Sequence, residues 1–221
     1  MAVTFAADGA VGTITLDNPP ANSYDLQVMT EFSAAVDEAI ASRTRAVIVC
    51  SASAKFFSAG ADVKRFLEGD VDANMQMIRT SQAAFRRMEA SETVFIAHIA
   101  GHAMGGGLEI ALACHHRIVL DDGKARLGLP EVKLGLLPGG GGTQRLPRLI
   151  GIQAALPLML EGKELRPDQA RQQGIVQELV KDRAELDARA RAWIAANPKP
   201  VQPWDDKKFK WPGGDSRSPA I

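Results

Sequence analysis

One segment organises the rest of the chain: residues 96–114, which read IAHIAGHAMGGGLEIALAC. An apolar, β-prone run meets three consecutive glycines, and a helical pattern follows them, so the segment predicts a strand that turns directly into a helix. Because glycine carries no Cβ and tolerates positive φ, the amide of Gly106 can approach a ligand closely. Glu109 then falls in the first helical turn, where it is either a capping acid or a group that shares a pocket with that amide.

Two further motifs flank this segment, at residues 58–64 (SAGADVK) and 128–146 (GLPEVKLGLLPGGGGTQRL). Taken together and in this order, the three motifs resemble those of the crotonase superfamily, also called the enoyl-CoA hydratase/isomerase family. The resemblance extends from Val3 to about Val180. It implies an α/β fold in which a right-handed spiral of β-β-α units forms two roughly perpendicular sheets surrounded by helices.

Composition narrows the class of protein. The chain has 221 residues, enough for one sizeable core, and its 26 basic and 26 acidic residues cancel, so no global field favours nucleic acid or an anionic membrane. Cys50 and Cys114 lie in apolar stretches without trustworthy metal-ligand spacing to histidine, and we expect no metal site. No signal peptide or long apolar span is visible in the sequence, which makes a reduced, cytoplasmic compartment the expectation.

Strand and helix patterns alternate along the chain, which indicates an α/β architecture. Asp8-Gly9 predicts a hairpin turn, and Asp25 predicts the N-cap of a helix. The remaining patterns predict strands at 46–50, 94–99, 117–120 and 175–180, and helices at 26–42, 72–90, 106–114, 143–150, 152–160, 167–173 and 182–197.

A change in composition predicts a domain boundary. We expect a crotonase-like core over residues 1–196 and a Pro- and Gly-rich tail or linker over residues 197–221. The tail is similar to the connection between the hydratase part and the following hydroxyacyl-CoA dehydrogenase part of multifunctional fatty-acid oxidation enzymes. The chain is therefore either the amino-terminal hydratase module of such an enzyme or a crotonase with a disordered tail.

Hydration of a trans-2-enoyl thioester puts water on C3 and a proton on C2 while negative charge develops on the thioester oxygen, so it needs hydrogen-bond donors and acid–base groups. Matching the family motifs residue by residue implies that the amides of Ala61 and Gly106 form the oxyanion hole. The same match implies that Glu109 activates the water and that Glu131 supplies the proton. Taken alone, Glu131 after a proline is typical of a helix start, but the pair favours catalysis. Two acids in one apolar pocket tend to raise one pKa.

The resemblance also implies where the coenzyme A part of the substrate binds. Basic residues near the first oxyanion segment meet the coenzyme A phosphates in the family, which favours Lys64 over Lys55, although either is equally a solvated surface lysine. The other candidate substrate-binding residues are Ala59, Asp62, Val63, Gly105 and Gly139. We expect no separate cofactor, because the glycine run lacks the Lys-Ser/Thr of a nucleotide-triphosphate loop and no G-x-G-x-x-G fingerprint occurs.

Three functions stay open. The pair of acids favours an enoyl-CoA hydratase, a Δ3,Δ2-enoyl-CoA isomerase would shuttle a proton between C4 and C2 through one carboxylate, and a non-catalytic acyl-CoA-binding module would fit the short carboxyl end. The chain carries a residue or two more than the usual family spacing between Glu109 and Glu131, and we assign that insertion to the turn at 121–123. As partners we expect an acyl-CoA thioester, and either a trimer-type homo-oligomer or a multifunctional β-oxidation protein.

Overall fold

The strands of the chain form three sheets. The computed structural model describes residues 1–197, 199 and 201–214, and over these the strands are β1 (Val3–Asp8), β2 (Val11–Leu16), β3 (Ser23–Tyr24), β4 (Ala46–Ser51), β5 (Phe56–Ser58), β6 (Gly60–Ala61), β7 (Val94–Ile99), β8 (His102–Met104), β9 (His116–Leu120), β10 (Leu127–Gly128), β11 (Glu164–Leu165) and β12 (Glu178–Val180).

The largest sheet has the strand order β1-β2-β4-β7-β9-β12, and the second has the order β11-β10-β8-β5. β1 and β2 form the antiparallel hairpin predicted at Asp8-Gly9, whereas β2, β4, β7, β9 and β12 pair in parallel. Successive strands alternate between the sheets, because β4, β7 and β9 lie in the first sheet and β5, β8 and β10, which follow them, lie in the second. Helical segments follow each such pair, and this confirms the predicted α/β fold of β-β-α units.

The helices begin close to the predicted positions. Over the described residues they are α1 (Leu26–Ala41), α2 (Val63–Glu68), α3 (Val71–Ala90), α4 (Gly106–Ala113), α5 (Gly142–Ile150), α6 (Ile152–Leu160), α7 (Pro167–Gln172) and α8 (Arg183–Ala196). The carboxylates of Asp25, Asp62 and Asp70 cap α1, α2 and α3 by accepting backbone N–H bonds of 2.9, 3.1 and 2.6 Å. The helix predicted from residue 72 therefore begins one residue earlier.

Both faces of the largest sheet are covered. Along β4, Val47 and Val49 belong to the main core, which also includes residues of α1, α3 and α4, whereas Ala46 and Ile48 belong to a second cluster with residues of α8. Because a parallel strand buried on both faces is apolar throughout, this explains the continuous apolar run of β4. Among the described residues, no helix combines the length and the apolar character needed to cross a bilayer.

One strand is shorter than predicted. Of the apolar run 175–180, only the three residues of β12 form a strand, because Ile175 lies in the turn after α7. The amide of Ile175 donates to the carbonyl oxygen of Ala170 at 2.9 Å, and its own carbonyl oxygen accepts from Nε of Arg117 at 2.7 Å. The buried guanidinium of Arg117 thus donates to the carbonyl oxygen that a neighbouring strand would otherwise have bonded.

The tail beyond residue 197 contacts the core over its described residues. The side chain of Gln202 is fully buried, and its Nε2 donates to the carbonyl oxygens of Ala113 and Cys114 at the end of α4, each at 3.2 Å. The guanidinium of Arg148 on α5 lies 5.0 Å from the ring centre of Trp211. Residues 198, 200 and 215–221 of the predicted tail lie outside the described residues, and the boundary after residue 196 stays a prediction.

Candidate active site

The site is built around the buried start of α4. Gly105 precedes the helix with a φ of 54°, a conformation that favours glycine, and all eight residues of α4 are buried. A Cβ at Gly107 would overlap the backbone of Ser58 in β5, so a glycine is needed for the helix to pack this closely. The helix start is consequently held against the second sheet, inside the protein, with its first amide at Gly106 and Glu109 in its first turn.

The two glycine-containing bends adjoin each other. A Cβ at Gly60, which has a φ of +85°, would lie 2.9 Å from the amide nitrogen of Gly106 and 2.9 Å from the carbonyl oxygen of Met104. Ala61 follows Gly60 in β6, where it pairs with Tyr24 of β3. The backbone segments that carry the amides of Ala61 and Gly106 are therefore neighbours, although 45 positions separate them in the sequence.

The carboxylate of Glu109 is held by the glycine run at residues 139–142. Its Oε2 accepts from the amide of Gly140 at 2.9 Å, and its Oε1 accepts from the amide of Gly142 at 2.7 Å. The side chain is only 2% exposed. Burial raises the pKa of Glu109, while the amides of the glycine run and the charge of Arg145 oppose that rise.

An ion pair fixes the glycine run in turn. Nε and Nη2 of Arg145 donate to the two carboxylate oxygens of Glu89 on α3 at 2.6 and 2.7 Å, and Nη1 donates to the carbonyl oxygen of Gly140 at 2.9 Å. Both side chains of the pair are largely buried. Such a bidentate pair has a defined geometry, so it fixes the amide of Gly140 that faces Glu109.

Glu131 lies beside Gly105, at the start of the 3-10 helix Pro130–Leu134. A Cβ at Gly105 would lie 3.0 Å from its Oε1, and its Oε2 is buried with no hydrogen-bond partner among the described residues. Burial, with a smaller contribution from the charge of Glu109, raises the pKa of Glu131 to about 7. Near neutral pH, much of Glu131 is therefore in its protonated form.

Residues 121–123, to which we assign the insertion from the sequence, lie in the connection from β9 to β10. Asp122 stabilises a turn there, since its Oδ1 accepts from the amide of Lys124 at 2.9 Å, and Gly123 follows it with a φ of 76°. β10 still pairs in parallel with β8, which precedes α4. Glu131 lies beside Gly105, and the insertion itself stays a prediction.

A cavity of about 200 Å³ opens between these elements. Eight residues singled out in the sequence line it: Ala59, Ala61, Val63, Gly105, Gly106, Glu109, Glu131 and Gly139. Its remaining wall is mostly apolar and comprises Tyr24, Phe66, Leu67, Met77, Ile78, Ser81, Pro130, Leu134, Leu136, Leu137 and Gly140. One cavity thus brings together both acids, both bends and an apolar surface.

Three of the candidate substrate-binding residues do not line this cavity. Lys55 is exposed, with its Nζ 5.4 Å from the ring centre of Phe56, and Lys64 is exposed on α2. Asp62 caps α2 through the amide of Arg65 and borders a separate depression. Their assignment to the coenzyme A end of the substrate stays a prediction.

The structure adds contacts that the motifs did not indicate. The amides of Gly140 and Gly142 bind Glu109, and the pair of Arg145 and Glu89 supports Gly140. The unusually dense glycine run was a signal for this contact, because bare backbone is needed where amides approach a carboxylate. Tyr24 also lines the cavity, and no sequence motif marked it.

Comparisons with known proteins show the family of the chain. Residues 6–200 match the family model of enoyl-CoA hydratase/isomerase, and the chain belongs to that family. It is 40% identical over 196 residues to a probable enoyl-CoA hydratase of Bacillus subtilis (strain 168), with 88% of this chain and 75% of the relative covered. It is also similar to the crystal structure of an enoyl-CoA hydratase from Geobacillus kaustophilus HTA426, with a TM-score of 0.83 and 37% identity over 89% of this chain and 74% of that one.

A second kind of relative is much longer. The fatty acid oxidation complex subunit alpha of Shewanella baltica (strain OS155 / ATCC BAA-1091) is 40% identical over 206 residues, which cover 88% of this chain and 28% of the relative. The chain thus spans somewhat more than a quarter of that protein's length.

Proposed function

We propose that this chain is an enoyl-CoA hydratase that adds water across the 2,3 double bond of trans-2-enoyl-CoA thioesters in fatty-acid β-oxidation. The observation that carries the proposal is the convergence of two adjoining backbone bends and two acidic side chains, Glu109 and Glu131, on one mostly apolar cavity. Membership of the enoyl-CoA hydratase/isomerase family supports it.

The amides of Ala61 and Gly106 act as the oxyanion hole in this proposal. They donate hydrogen bonds to the thioester oxygen, whose negative charge grows as water adds to C3. The support is the close approach of Gly60 to the amide of Gly106, which only a residue without a Cβ permits. Backbone donors fixed by β6 and α4 need little reorganisation during the reaction.

The two acids divide the proton transfers. Glu109, held as a carboxylate by the amides of Gly140 and Gly142, accepts a proton from the attacking water as the water oxygen bonds to C3. Glu131, whose pKa of about 7 keeps much of it protonated at neutral pH, gives its proton to C2. One water is consumed, Glu109 ends protonated and Glu131 ionised, and proton exchange between the two restores the starting state.

The coenzyme A part of the substrate is assigned partly to residues that do not line the cavity. We propose that Lys64 and Lys55 bind the phosphates of coenzyme A, while Ala59, Asp62, Val63, Gly105 and Gly139 contact the rest of the thioester. The reaction changes no oxidation state, so it requires no redox cofactor. The long relative from Shewanella baltica supports a place for this chain in a multifunctional β-oxidation protein. The alternative assembly is a trimer-type homo-oligomer. In either case we propose that the protein acts in the cytoplasm.

The test follows the loss of the conjugated enoyl-thioester absorbance with the wild-type chain, Glu109→Gln and Glu131→Gln. Hydration predicts consumption by the wild type and strong loss in both variants. A wild type that binds coenzyme A without consuming the substrate would instead indicate a non-catalytic binding module. With a 3-enoyl thioester as substrate, activity lost in Glu131→Gln and kept in Glu109→Gln would identify isomerisation as the main reaction.

A further inference from the structure

Tyr24 lies outside the three sequence motifs, yet it contacts both of the backbone bends that carry the proposed oxyanion hole. It ends the two-residue strand β3 and pairs directly with Ala61 of β6, so its backbone adjoins the first oxyanion bend. Its side chain is 7% exposed and reaches the second bend, where a Cβ at Gly106 would overlap the Tyr24 hydroxyl oxygen. One side chain therefore spans the distance between the two bends.

The Tyr24 hydroxyl lies beside Gly106, a residue of the cavity lining, with its hydrogen-bonding capacity unused. Tyr24 lines the same cavity as Glu109 and Glu131, and within the described part of the chain no group forms a hydrogen bond with its hydroxyl. Both oxygens of Glu109 already accept from the glycine run. A phenol buried to this degree normally finds a partner, so the missing partner belongs to whatever occupies the cavity.

We propose that the Tyr24 hydroxyl is a third hydrogen-bond donor to the thioester carbonyl oxygen, beside the amides of Ala61 and Gly106. This inference rests on the proposed hydratase function. The hydroxyl abuts Gly106, whose amide points to that oxygen in the proposed mechanism, so the two donors reach the same atom from neighbouring positions.

The surroundings keep the phenol a donor. Burial, then the charges of Glu109 and Glu131, raise the pKa of Tyr24 well above its ordinary value, so its hydrogen stays on the oxygen at working pH. The role involves no proton transfer, because the hydrogen remains on Tyr24 while the negative charge on the thioester oxygen grows and disperses. Removal of the hydroxyl should therefore lower kcat without moving either limb of the pH–rate profile.

Tyr24→Phe tests the proposal because it removes the hydroxyl and keeps the ring. We expect kcat to fall about tenfold to a hundredfold, with KM within about twofold of wild type, as for loss of a donor that acts in the transition state. A dimethylaminocinnamoyl-CoA thioester gives a direct readout, because its absorption moves to longer wavelength when its carbonyl oxygen accepts stronger hydrogen bonds. That shift should be smaller in Tyr24→Phe than in wild type.

The single tyrosine of the chain provides a second measurement that needs no change of fold. Biosynthetic replacement of tyrosine by 3-fluorotyrosine labels this position alone and makes the phenol a stronger donor. The bound chromophore should then absorb at longer wavelength than in unlabelled protein at neutral pH.

Several outcomes would overturn the role of Tyr24. One is a Tyr24→Phe variant that hydrates as fast as an active wild type, and another is a chromophore shift that neither replacement changes. In a third outcome, Tyr24→Phe lowers kcat and displaces a limb of the pH–rate profile while the chromophore absorption shift stays as in wild type. That result would show that the hydroxyl bonds to the carboxyl groups and not to the thioester oxygen. A wild type that binds the chromophore with a Tyr24-dependent shift but does not hydrate enoyl-CoA would overturn the proposed function and leave the hydrogen bond established.

Discussion

The two walls of the cavity are built differently. On one side, Glu109 is 2% exposed and bonded to the amides of Gly140 and Gly142, and the largely buried pair of Arg145 and Glu89 holds Gly140. Elsewhere in the lining, Leu67 and Leu137 are apolar residues that are 71% and 65% exposed. The first wall is held by directional hydrogen bonds, whereas the second has free apolar surface.

This difference corresponds to the two parts of an enoyl thioester. Proton transfer depends on distances within a few tenths of an ångström, so the wall that carries the acids needs fixed geometry. An acyl chain offers no hydrogen bonds, and its binding depends on the apolar area it covers. Substitutions on the fixed wall should accordingly change kcat strongly, and substitutions on the apolar wall should change KM modestly.

Glu109→Gln should have the largest effect, a fall in kcat of about a thousandfold or more. The amide cannot accept a proton from water, and its NH2 group would face the donors at Gly140 or Gly142. Steady-state hydration kinetics measure this change. Glu161→Gln, the same substitution at an exposed position outside the cavity, is the matched control. If the kcat of Glu109→Gln were within tenfold of that control, Glu109 would not be the general base.

Gly140→Ala should lower kcat by about a hundredfold, by moving the base out of position. Its Cβ would lie 2.6 Å from Oε2 of Glu109 and 2.9 Å from the ring of Phe85. The neighbouring Gly139→Ala should cost less, because its Cβ would lie 3.5 Å from Ile78, an ordinary contact. Hydration kinetics and thermal unfolding of both variants give the comparison, and equal losses would show that the glycine run is not specific for Glu109.

Glu131→Gln should stabilise the protein at pH 8 by about 1 to 3 kcal/mol and have little effect below pH 4. The folded pKa of about 7 lies above the unfolded value of about 4.5, so the wild type loses stability as pH rises between these values. Glutamine carries no charge and avoids this loss. Urea unfolding at pH 4, 6 and 8 measures the difference, which should grow through this range. A constant difference at the three pH values would show that Glu131 is not perturbed.

Leu137→Ala should have the smallest effect, a loss of about 1 kcal/mol in binding of long-chain enoyl-CoA, or about fivefold in KM. A four-carbon substrate, which reaches less of the apolar wall, should bind as in wild type. Leu160→Ala, at a position 56% exposed and outside the cavity lining, serves as control. Equal changes in KM for the four-carbon and the long-chain substrate would show that the apolar wall does not bind the acyl chain.

Local patterns determined much of the architecture. The strand, glycines and helix of residues 94–113 follow from apolar periodicity and from the conformations that only glycine adopts readily. The prediction that the strand turns directly into the helix was wrong, because β8 (His102–Met104) pairs into the second sheet between them. The family motifs also singled out both acids and both bends, which the structure places around one cavity. These features are readable because each depends mainly on residues close together in the chain.

Only the tertiary structure decided what surrounds the acids. The amides that bind Glu109 lie 31 and 33 residues away. Tyr24, in the two-stranded sheet of β3 and β6, meets Gly106 of α4. The tail shows the same limit, since its composition predicts a linker while Gln202 is buried against the end of α4. Periodicity records which face of an element is apolar, whereas these contacts arise from how the strands pair and how closely the helices approach, and no local pattern encodes those distances.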